Sequence, residues 1–244
     1  MNRQSAFSYE CNACGRCCRD KVITLSPHDV LMIARAAGIS TREAIARFTL
    51  RRGSIQRFGN DGACVALEGA RCGLHRGRPL ACRLYPLGIE RDADGNGERF
   101  VQLEPASGSA GIYGTGGTVA DFLEGQGVAE CLAMNDHYRP LIATFRDRIA
   151  ALADFEKTEP REFWRRATRE ALAESGYDPN PLIDAMFDAD RFALSNQGID
   201  DVVAAHVGAL AALACESHDP DALAAAVVLL AVSLGYSPSV VMES

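Results

Sequence analysis

The sequence lacks long apolar runs and a leader for export. Its longest apolar candidate, residues 222–234, spans 13 positions, whereas a membrane-spanning helix needs about 20. The first ten residues contain neither an apolar leader core nor a cleavage site. We therefore expect a cytoplasmic protein that makes no contact with a membrane, and we expect residues 222–234 to form a buried helix.

The sequence also lacks the motifs of common enzymes. It has no Ser-His-Asp set, no His-Glu-x-x-His and no paired-carboxylate motif, so ordinary hydrolysis is not indicated. The glycine-rich stretch 107–117 lacks the spacing of a phosphate loop and is predicted to be a flexible or tightly turned loop. The arginines are scattered without interleaved aromatic residues, which argues against nucleic-acid binding.

The overall composition is that of a globular protein, with 244 residues, 48% apolar and 23% charged. A chain of this length can bury a core without help from a metal. The net charge of −7 is distributed unevenly along the chain. Residues 1–91 carry 15 basic and 7 acidic residues, whereas residues 92–244 carry 10 basic and 25 acidic residues. Such an asymmetry indicates that one part handles anions or that the two parts dock on each other.

Cysteine is abundant, and it is clustered. Seven of the nine cysteines lie in the first third of the chain. Because cytosolic thiols are kept reduced, this clustering favours metal ligands over disulfides. Cys131 and Cys215 lie in apolar helical patterns and are predicted to be buried core thiols. The seven predicted metal ligands are Cys11, Cys14, Cys17, Cys18, Cys64, Cys72 and Cys82.

The spacing of the first cysteines is typical of a metal-binding loop. Thiolates two residues apart can both turn toward one metal, as in zinc knuckles and iron–sulfur loops. The Cys-x2-Cys-x2-Cys run is similar to the start of a bacterial ferredoxin motif but lacks its later Cys-Pro, so a further ligand must come from afar. Neighbouring side chains diverge, so either Cys17 or Cys18 is expected to serve a second centre or to be a reactive or spare thiol.

Other polar residues accompany the cysteines. Arg78 and Arg83 are predicted to stabilise a negatively charged metal centre by hydrogen bonds to its sulfurs. The alternative is an ordinary solvated basic surface, and the same alternative holds for Arg16, Arg19 and Arg76. His75 lies three residues after Cys72 and offers a nitrogen ligand, although a solvated histidine or one behind the ligands is the simpler interpretation.

The element pattern predicts a mainly α fold. An irregular, cysteine-rich module that is held together by metal and contains a short β-hairpin would occupy residues 1–127. An acidic α-helical region would occupy residues 128–244. Ser26-Pro27 and Ser40 are typical of helix starts, and Gly38 of a helix end. Strands on both sides of 92–97 predict the hairpin. Further helices are predicted near 118–126, 128–157, 160–175, 180–193, 200–216 and 219–235, with Pro140 kinking or splitting the second.

Taken together, the first 90 residues resemble a known family. Cys11-x2-Cys14-Gly15-x-Cys17-Cys18 is followed by Asp29…Ile33-Ala34…Gly38, and then by Cys64, Cys72, Arg78-Pro79 and Cys82-Arg83-x-Tyr85-Pro86. This pattern closely resembles the CxxCxxCC cysteine-cluster family of zinc- or iron-chelating domain proteins (YkgJ-type proteins), over roughly residues 7–90.

The resemblance implies a metal-binding module, and the family includes relatives of the flagellin lysine N-methylase. That relation implies iron–sulfur-linked methyl transfer from S-adenosylmethionine. Many members of the family would have another cysteine near residues 104–107, which this chain lacks. Residues 130–244 resemble no family that we can name.

We predict a protein that holds one [4Fe–4S]-type cluster through cysteines of both groups. Seven thiols exceed the four that a structural zinc needs, and cubane clusters accept ligands from distant loops. The alternative is a zinc module with two tetrahedral sites.

Two hypotheses about activity stay open, and no catalytic residue is indicated for either. The first is an enzyme that modifies a protein or peptide, with S-adenosylmethionine as cofactor. The second is an adaptor or redox-sensing module that binds a partner without catalysis. The apolar C-terminal helices are expected to be buried or to form a homo-oligomer.

Overall fold

Helices form most of the regular structure, which confirms the mainly α prediction. The computed structural model describes residues 1–91, 97–154, 159–173, 179–192, 194 and 198–241. The helices in these ranges are α1 (Pro27–Ala37), α2 (Thr41–Phe48), α3 (Leu80–Leu84), α4 (Val119–Gly125), α5 (Val128–Tyr138), α6 (Pro140–Leu152), α7 (Pro160–Ala171), α8 (Pro181–Phe187), α9 (Ile199–Glu216) and α10 (Pro220–Ser233).

The strands of the described ranges form small antiparallel pairs. They are β1 (Ala6–Glu10) with β8 (Ile112–Thr118), β2 (Thr49–Leu50) with β3 (Ile55–Gln56), β4 (Leu67–Glu68) with β5 (Arg71–Cys72), and β6 (Leu87–Arg91) with β7 (Glu98–Gln102). The last pair is the predicted hairpin, although its turn, residues 92–96, lies outside the described ranges.

The caps that the sequence indicates define the first two helices. The hydroxyl of Ser26 accepts the N–H of Asp29 at 3.1 Å, and the carboxylate of Asp29 accepts the N–H of Ser26 at 2.9 Å. Ser40 and Glu43 form the same reciprocal pair at the start of α2. Gly38 ends α1 with a φ of +67°, a conformation that costs glycine little.

The larger hydrophobic core joins the N-terminal helices to the C-terminal ones. Leu25 and Ile33 are buried in the same cluster as Phe145 and Met186. Nearly all of α10 is buried, and it packs on α6 and α7. The predicted boundary between residues 127 and 128 stays a prediction, although this core contains side chains from both sides of it. None of the described helices is long and apolar enough to cross a membrane.

A smaller core lies beneath the sheet elements. Its buried members include Phe7 of β1, Leu87 and Phe100 of the hairpin, Leu123 of α4 and Val128 of α5. These contacts hold the β1–β8 pair and the hairpin against α4 and the first half of α5. The first cysteine run, which follows β1 directly, is thereby attached to the body of the protein.

The prediction of a loop across 107–117 is wrong from Ile112 onward, where β8 pairs with β1. The glycines that suggested a loop instead permit close approach of β1 side chains. A Cβ on Gly111 would lie 2.3 Å from the hydroxyl of Tyr9, and one on Gly114 would lie 2.7 Å from the hydroxyl of Ser8.

Two predicted helices have different bounds. Pro140 splits the predicted helix 128–157 into α5 and α6, because proline cannot donate a helical hydrogen bond but is well suited to a first turn. The predicted helix 180–193 ends as α8 at Phe187, and a 3-10 turn, Ala189–Phe192, follows. Residues 155–157, 174–175 and 193 of the predicted helices lie outside the described ranges.

Candidate metal centre

The first cysteine run forms a tight loop that ends in a 3-10 turn, Arg16–Cys18. The loop bends at Gly15, which has a φ of +68° and lies against Ala70. The turn brings the sulfur atoms of Cys17 and Cys18 to 3.9 Å from each other. The expectation that these neighbouring side chains diverge is therefore wrong, because the 3-10 turn places them side by side.

Backbone hydrogen bonds attach the first run to the second group of cysteines. The N–H of Cys64 donates to the carbonyl of Cys18 at 2.8 Å, and the N–H of Asp20 donates to the carbonyl of Gly62 at 2.9 Å. Cys72 follows on β5, where it pairs with Leu67 of β4. Cys64 and Cys72 also pack against the larger core. Three separate stretches of sequence thus place their thiols in one region.

Cys82 is placed by the short helix α3, and α3 is anchored by α1. Pro79 precedes α3 and offers no side-chain cap. The buried carboxylate of Asp29 in α1 caps α3 instead, because it accepts the N–H of Leu80 at 2.9 Å. Gly77 makes the close approach possible, since a Cβ there would lie 2.2 Å from the carbonyl oxygen of Met32 in α1.

Five cysteines form what we call the inner thiol group: Cys17, Cys18, Cys64, Cys72 and Cys82. Burial raises the pKa of Cys82, and the nearby charges of Cys64, Cys72 and Cys17 raise it further. Burial likewise raises the pKa of Cys64, and the charge of Cys72 adds to this shift. Burial also raises the pKa of Cys72, and the charge of Cys17 adds to that shift. Each effect of one thiol on another requires that their sulfurs lie near each other.

Cys17 and Cys18 behave as a pair within this group. The contact with Cys18 lowers the pKa of Cys17 to about 7, with a smaller contribution from Lys21. The same contact, followed by burial, raises the pKa of Cys18. The pair therefore loses one proton more readily than the other members of the inner thiol group, and thiolate is the form that binds metals.

Cys11 and Cys14, which we call the outer pair, lie closer to solvent. Cys11 is exposed, whereas Cys14 is half-buried. The N–H of Ala110 donates to the sulfur of Cys14 at 3.5 Å, and this bond lowers the pKa of Cys14. The amide of Asn12 donates to the carbonyl of Ala110 at 2.7 Å. The segment before β8 therefore contacts the first cysteine run at Asn12 and Cys14.

Arg78 and Arg83 occupy different positions. Arg78 lies near the thiols, because the charges of Cys82, Cys72 and Cys11 act on its guanidinium, and it donates to the side chain of Gln126 at 2.5 Å. Arg83 donates instead to the carbonyls of Arg78, Gln126 and Arg76 at 3.1, 2.9 and 2.7 Å. Arg83 therefore holds the backbone around Cys82, and no described contact joins it to a sulfur.

The remaining candidates fall outside the inner thiol group. His75 is exposed, and its ring contacts the guanidinium of Arg78. Cys131 is a buried core thiol, as predicted. The same prediction for Cys215 is wrong, because that residue is exposed at the last turn of α9. The buried face of α9 runs through Leu210 and Ala214 and leaves Cys215 outside it.

Three tyrosines lie beside the thiols, and the sequence singled out only Tyr85 among them. The ring of Tyr9 meets those of Tyr85 and Tyr113 edge to face, with centroids 6.0 and 5.0 Å away. Burial raises the pKa of Tyr113 to about 12, and the charge of Cys17 contributes. The pairing of β1 with β8 creates this cluster, so only a correct prediction of that pairing could have identified it.

The donor set suits a soft metal centre, since thiolates select zinc and iron–sulfur clusters. Among the described residues, however, no group of three or more Cys, His, Asp or Glu side chains is arranged to hold a metal ion. The chemistry and the proximity of the thiols fit a metal, while the ligand set stays a prediction. These features define the class as a cysteine-cluster module whose donor atoms suit metal chelation.

The family comparison agrees with this class. Residues 10–104 match the model of the family CxxCxxCC, "Putative zinc- or iron-chelating domain". The match confirms the resemblance seen in the sequence. Neither the curated proteins nor the solved structures gave a match.

Proposed function

We propose that the inner thiol group binds an iron–sulfur cluster of the [4Fe–4S] type, in a protein of the cytoplasm. The observation that carries this proposal is the gathering of Cys17, Cys18, Cys64, Cys72 and Cys82 from four stretches of the chain. Because Cys11 and Cys14 lie next to this group, they are the candidates for any further ligand.

The protonation of the thiols supports a cationic occupant. Burial and neighbouring thiols raise the pKa of Cys64, Cys72 and Cys82, so these groups are neutral while no cation is near. A metal centre supplies the positive charge that makes the thiolates stable, and its binding releases protons. Arg78 adds positive charge on the same side, as is common around thiolate-bound centres.

The number of thiols favours iron–sulfur over zinc. A structural zinc is satisfied by four ligands, and the inner thiol group contains a fifth thiol before the outer pair is considered. A cubane cluster offers several metal ions and accepts cysteines from separate loops. A zinc-binding adaptor without catalytic activity is the competing function.

The number of cysteine ligands also separates an enzyme from an adaptor. A cluster held by three cysteines supplies one iron with an open position for S-adenosylmethionine or a substrate. In that case the tyrosine cluster and Arg78 would orient a bound peptide beside the thiols. A cluster held by four cysteines suits a redox-sensing or structural role.

The test is anaerobic reconstitution of the purified chain with iron and sulfide, followed by electron paramagnetic resonance after reduction. We expect a cubane-type signal and bound iron and sulfide in equal amounts. Protein that takes up zinc in preference and forms no cluster would support the zinc adaptor instead. Incubation of the loaded protein with S-adenosylmethionine and basic peptides, followed by mass spectrometry, then tests the enzyme hypothesis.

A further inference from the structure

A row of arginines lies on the outer face of α7, apart from the cysteines. Arg161, Arg165 and Arg169 follow one another at four-residue spacing, and all three are exposed. Together with Thr168 they line an open groove of about 590 Å³. Side chains four residues apart lie on one side of a helix, so the three arginines share one face of α7, and they line the same groove.

The rest of α7 is accounted for by packing and pairing. Its inner face buries Phe163 and Ala167, and the helix packs on α10. Arg166, which lies outside the row, pairs with Asp221 of α10. The arginine row therefore is not needed to attach α7 to the core.

Within the row, the pairing is incomplete. Arg165 donates to Glu162 at 2.7 Å, and both side chains are more than half exposed. Among the residues that the structure describes, Arg161 and Arg169 have no carboxylate partner. Like charges at four-residue spacing repel each other, so the row by itself is unfavourable.

The row is also unusual for its part of the chain. Residues 92–244 contain 25 acidic and only 10 basic residues, and four of those ten lie in α7. An anion laid along the groove would remove the repulsion between the arginines. Guanidinium groups recognise carboxylates through paired hydrogen bonds.

The spacing indicates which anion fits. Arginines four residues apart lie about 6 Å apart along a helix axis, and side chains on one face of an extended strand repeat every 6.6 Å or so, that is about twice 3.3 Å. An extended peptide with acidic residues at alternate positions therefore matches the row. None of the described residues that line the groove is aromatic, which makes a single-stranded nucleic acid a poorer fit.

We propose that the groove along Arg161, Arg165 and Arg169 is a docking site for an extended acidic peptide segment of a partner protein. This proposal is independent of the metal, and it adds a partner class that the cysteine cluster does not imply. It also places the binding surface within the region that is otherwise acidic.

The experiment uses the full chain and a fluorescein-labelled peptide of alternating glutamate and serine, with binding followed by fluorescence anisotropy. Trp164, the single tryptophan of the chain, lies on the same helix and gives a second readout through its emission. We expect saturable binding, weakened about tenfold by the double variant Arg161→Gln/Arg169→Gln, since each exposed ion pair contributes about threefold. Circular dichroism would confirm that the variant is folded.

The matched control is Arg166→Gln, which removes a charge from the same helix but outside the row. We expect it to change the affinity by less than about twofold. Three results would overturn the proposal: binding that the double variant does not weaken, equal binding of a peptide whose glutamates form one block, or tighter binding of a single-stranded oligonucleotide. The last result would assign the row to nucleic acid.

Discussion

The cysteine-rich segment and the helical core are stabilised in different ways. No hydrophobic side chain of residues 8–24 is buried, and the buried residues of 57–82 are only Ala66, Leu74, Gly77 and Pro79. In contrast, α10 is buried along nearly its whole length. The helical core therefore has the apolar burial that drives folding, while the cysteine-rich segment depends on backbone hydrogen bonds and, in our proposal, on a metal.

Because of this difference, we expect the two regions to respond differently to removal of the metal. Binding energy at a cysteine-ligated metal is also folding energy, because the site does not exist in the unfolded chain. Metal removal should therefore destabilise the cysteine-rich segment, which lacks its own hydrophobic core, and leave the helical core intact. The five predictions below test this contrast, and the largest expected effect comes first.

Chelation of the metal should change hydrogen exchange mainly in the cysteine-rich segment. We expect the amides of Asp20 and Cys64, which bond to Gly62 and Cys18, to lose most of their protection. The amides of α10 should keep theirs, because apolar burial holds that helix. Hydrogen–deuterium exchange with mass spectrometry measures both, and equal loss in the two regions would contradict the contrast.

Loss of an inner thiol should remove more metal than loss of an outer one. Cys82→Ser should reduce bound metal to less than about a tenth, because Cys82 lies half-buried within the inner thiol group and its ligand bond contributes to folding. Cys14→Ser should retain more than half. Metal analysis of both variants gives the comparison, and a greater loss from Cys14→Ser would place the centre at the outer pair.

Asp29→Asn should destabilise the protein by about 3 kcal/mol, because a hydrogen bond to a buried charged group contributes about 1.5–3 kcal/mol and Asp29 accepts two. Glu43→Gln is the control, since Glu43 makes a similar cap at an exposed helix start, and this change should cost clearly less. Urea unfolding monitors both. Similar losses would show that the link from Asp29 to α3 contributes nothing beyond a cap.

The helical core should lose stability in mild acid through His206. Its Nδ1 contacts the hydroxyl of Tyr138 at 2.9 Å and its Nε2 contacts the carbonyl of Ala185 at 3.0 Å. Burial lowers the pKa of His206 in the folded protein, so below about pH 6.5 the unfolded chain binds a proton that the folded chain does not. Stability should therefore fall as the pH drops below this value, by at most about 1.4 kcal/mol per pH unit.

Thermal unfolding between pH 7 and pH 5 measures this effect, and His206→Gln should flatten the dependence. The depressed pKa of His28, about 4, acts with the same sign and should leave a residual slope in that variant. An unchanged slope in His206→Gln would show that His206 does not carry the effect.

The smallest effect is expected from Cys215→Ser. Because Cys215 is exposed on α9 and outside the inner thiol group, we expect unchanged metal content and a stability change of at most about 0.5 kcal/mol. Metal analysis and urea unfolding check this, and metal loss from this variant would extend the site to the helical region.

Local signals in the sequence predicted much of the fold. The Ser26 and Ser40 caps, the end of α1 at Gly38 and the break at Pro140 depend on nearby residues, and the structure confirms them. The strand Ile112–Thr118 was missed, because its glycines are explained only by the β1 side chains that they face. That pairing joins residues about a hundred positions apart, which local patterns do not encode.

The candidate site shows the same division. The cysteine spacing identified a metal-binding module and its family, but it did not separate an inner thiol group from an outer pair. The role of Asp29 at α3 was missed, because the sequence shows only its local cap with Ser26. Cys215 was misplaced, because an alanine-rich helix does not reveal which face is buried.

The most direct test of the central claim is the metal content and visible spectrum of the protein purified under strict exclusion of oxygen. Our account predicts a brown protein with iron and sulfide in equal amounts, and loss of both in Cys82→Ser but not in Cys215→Ser. A colourless protein that contains zinc and no iron would contradict the iron–sulfur assignment.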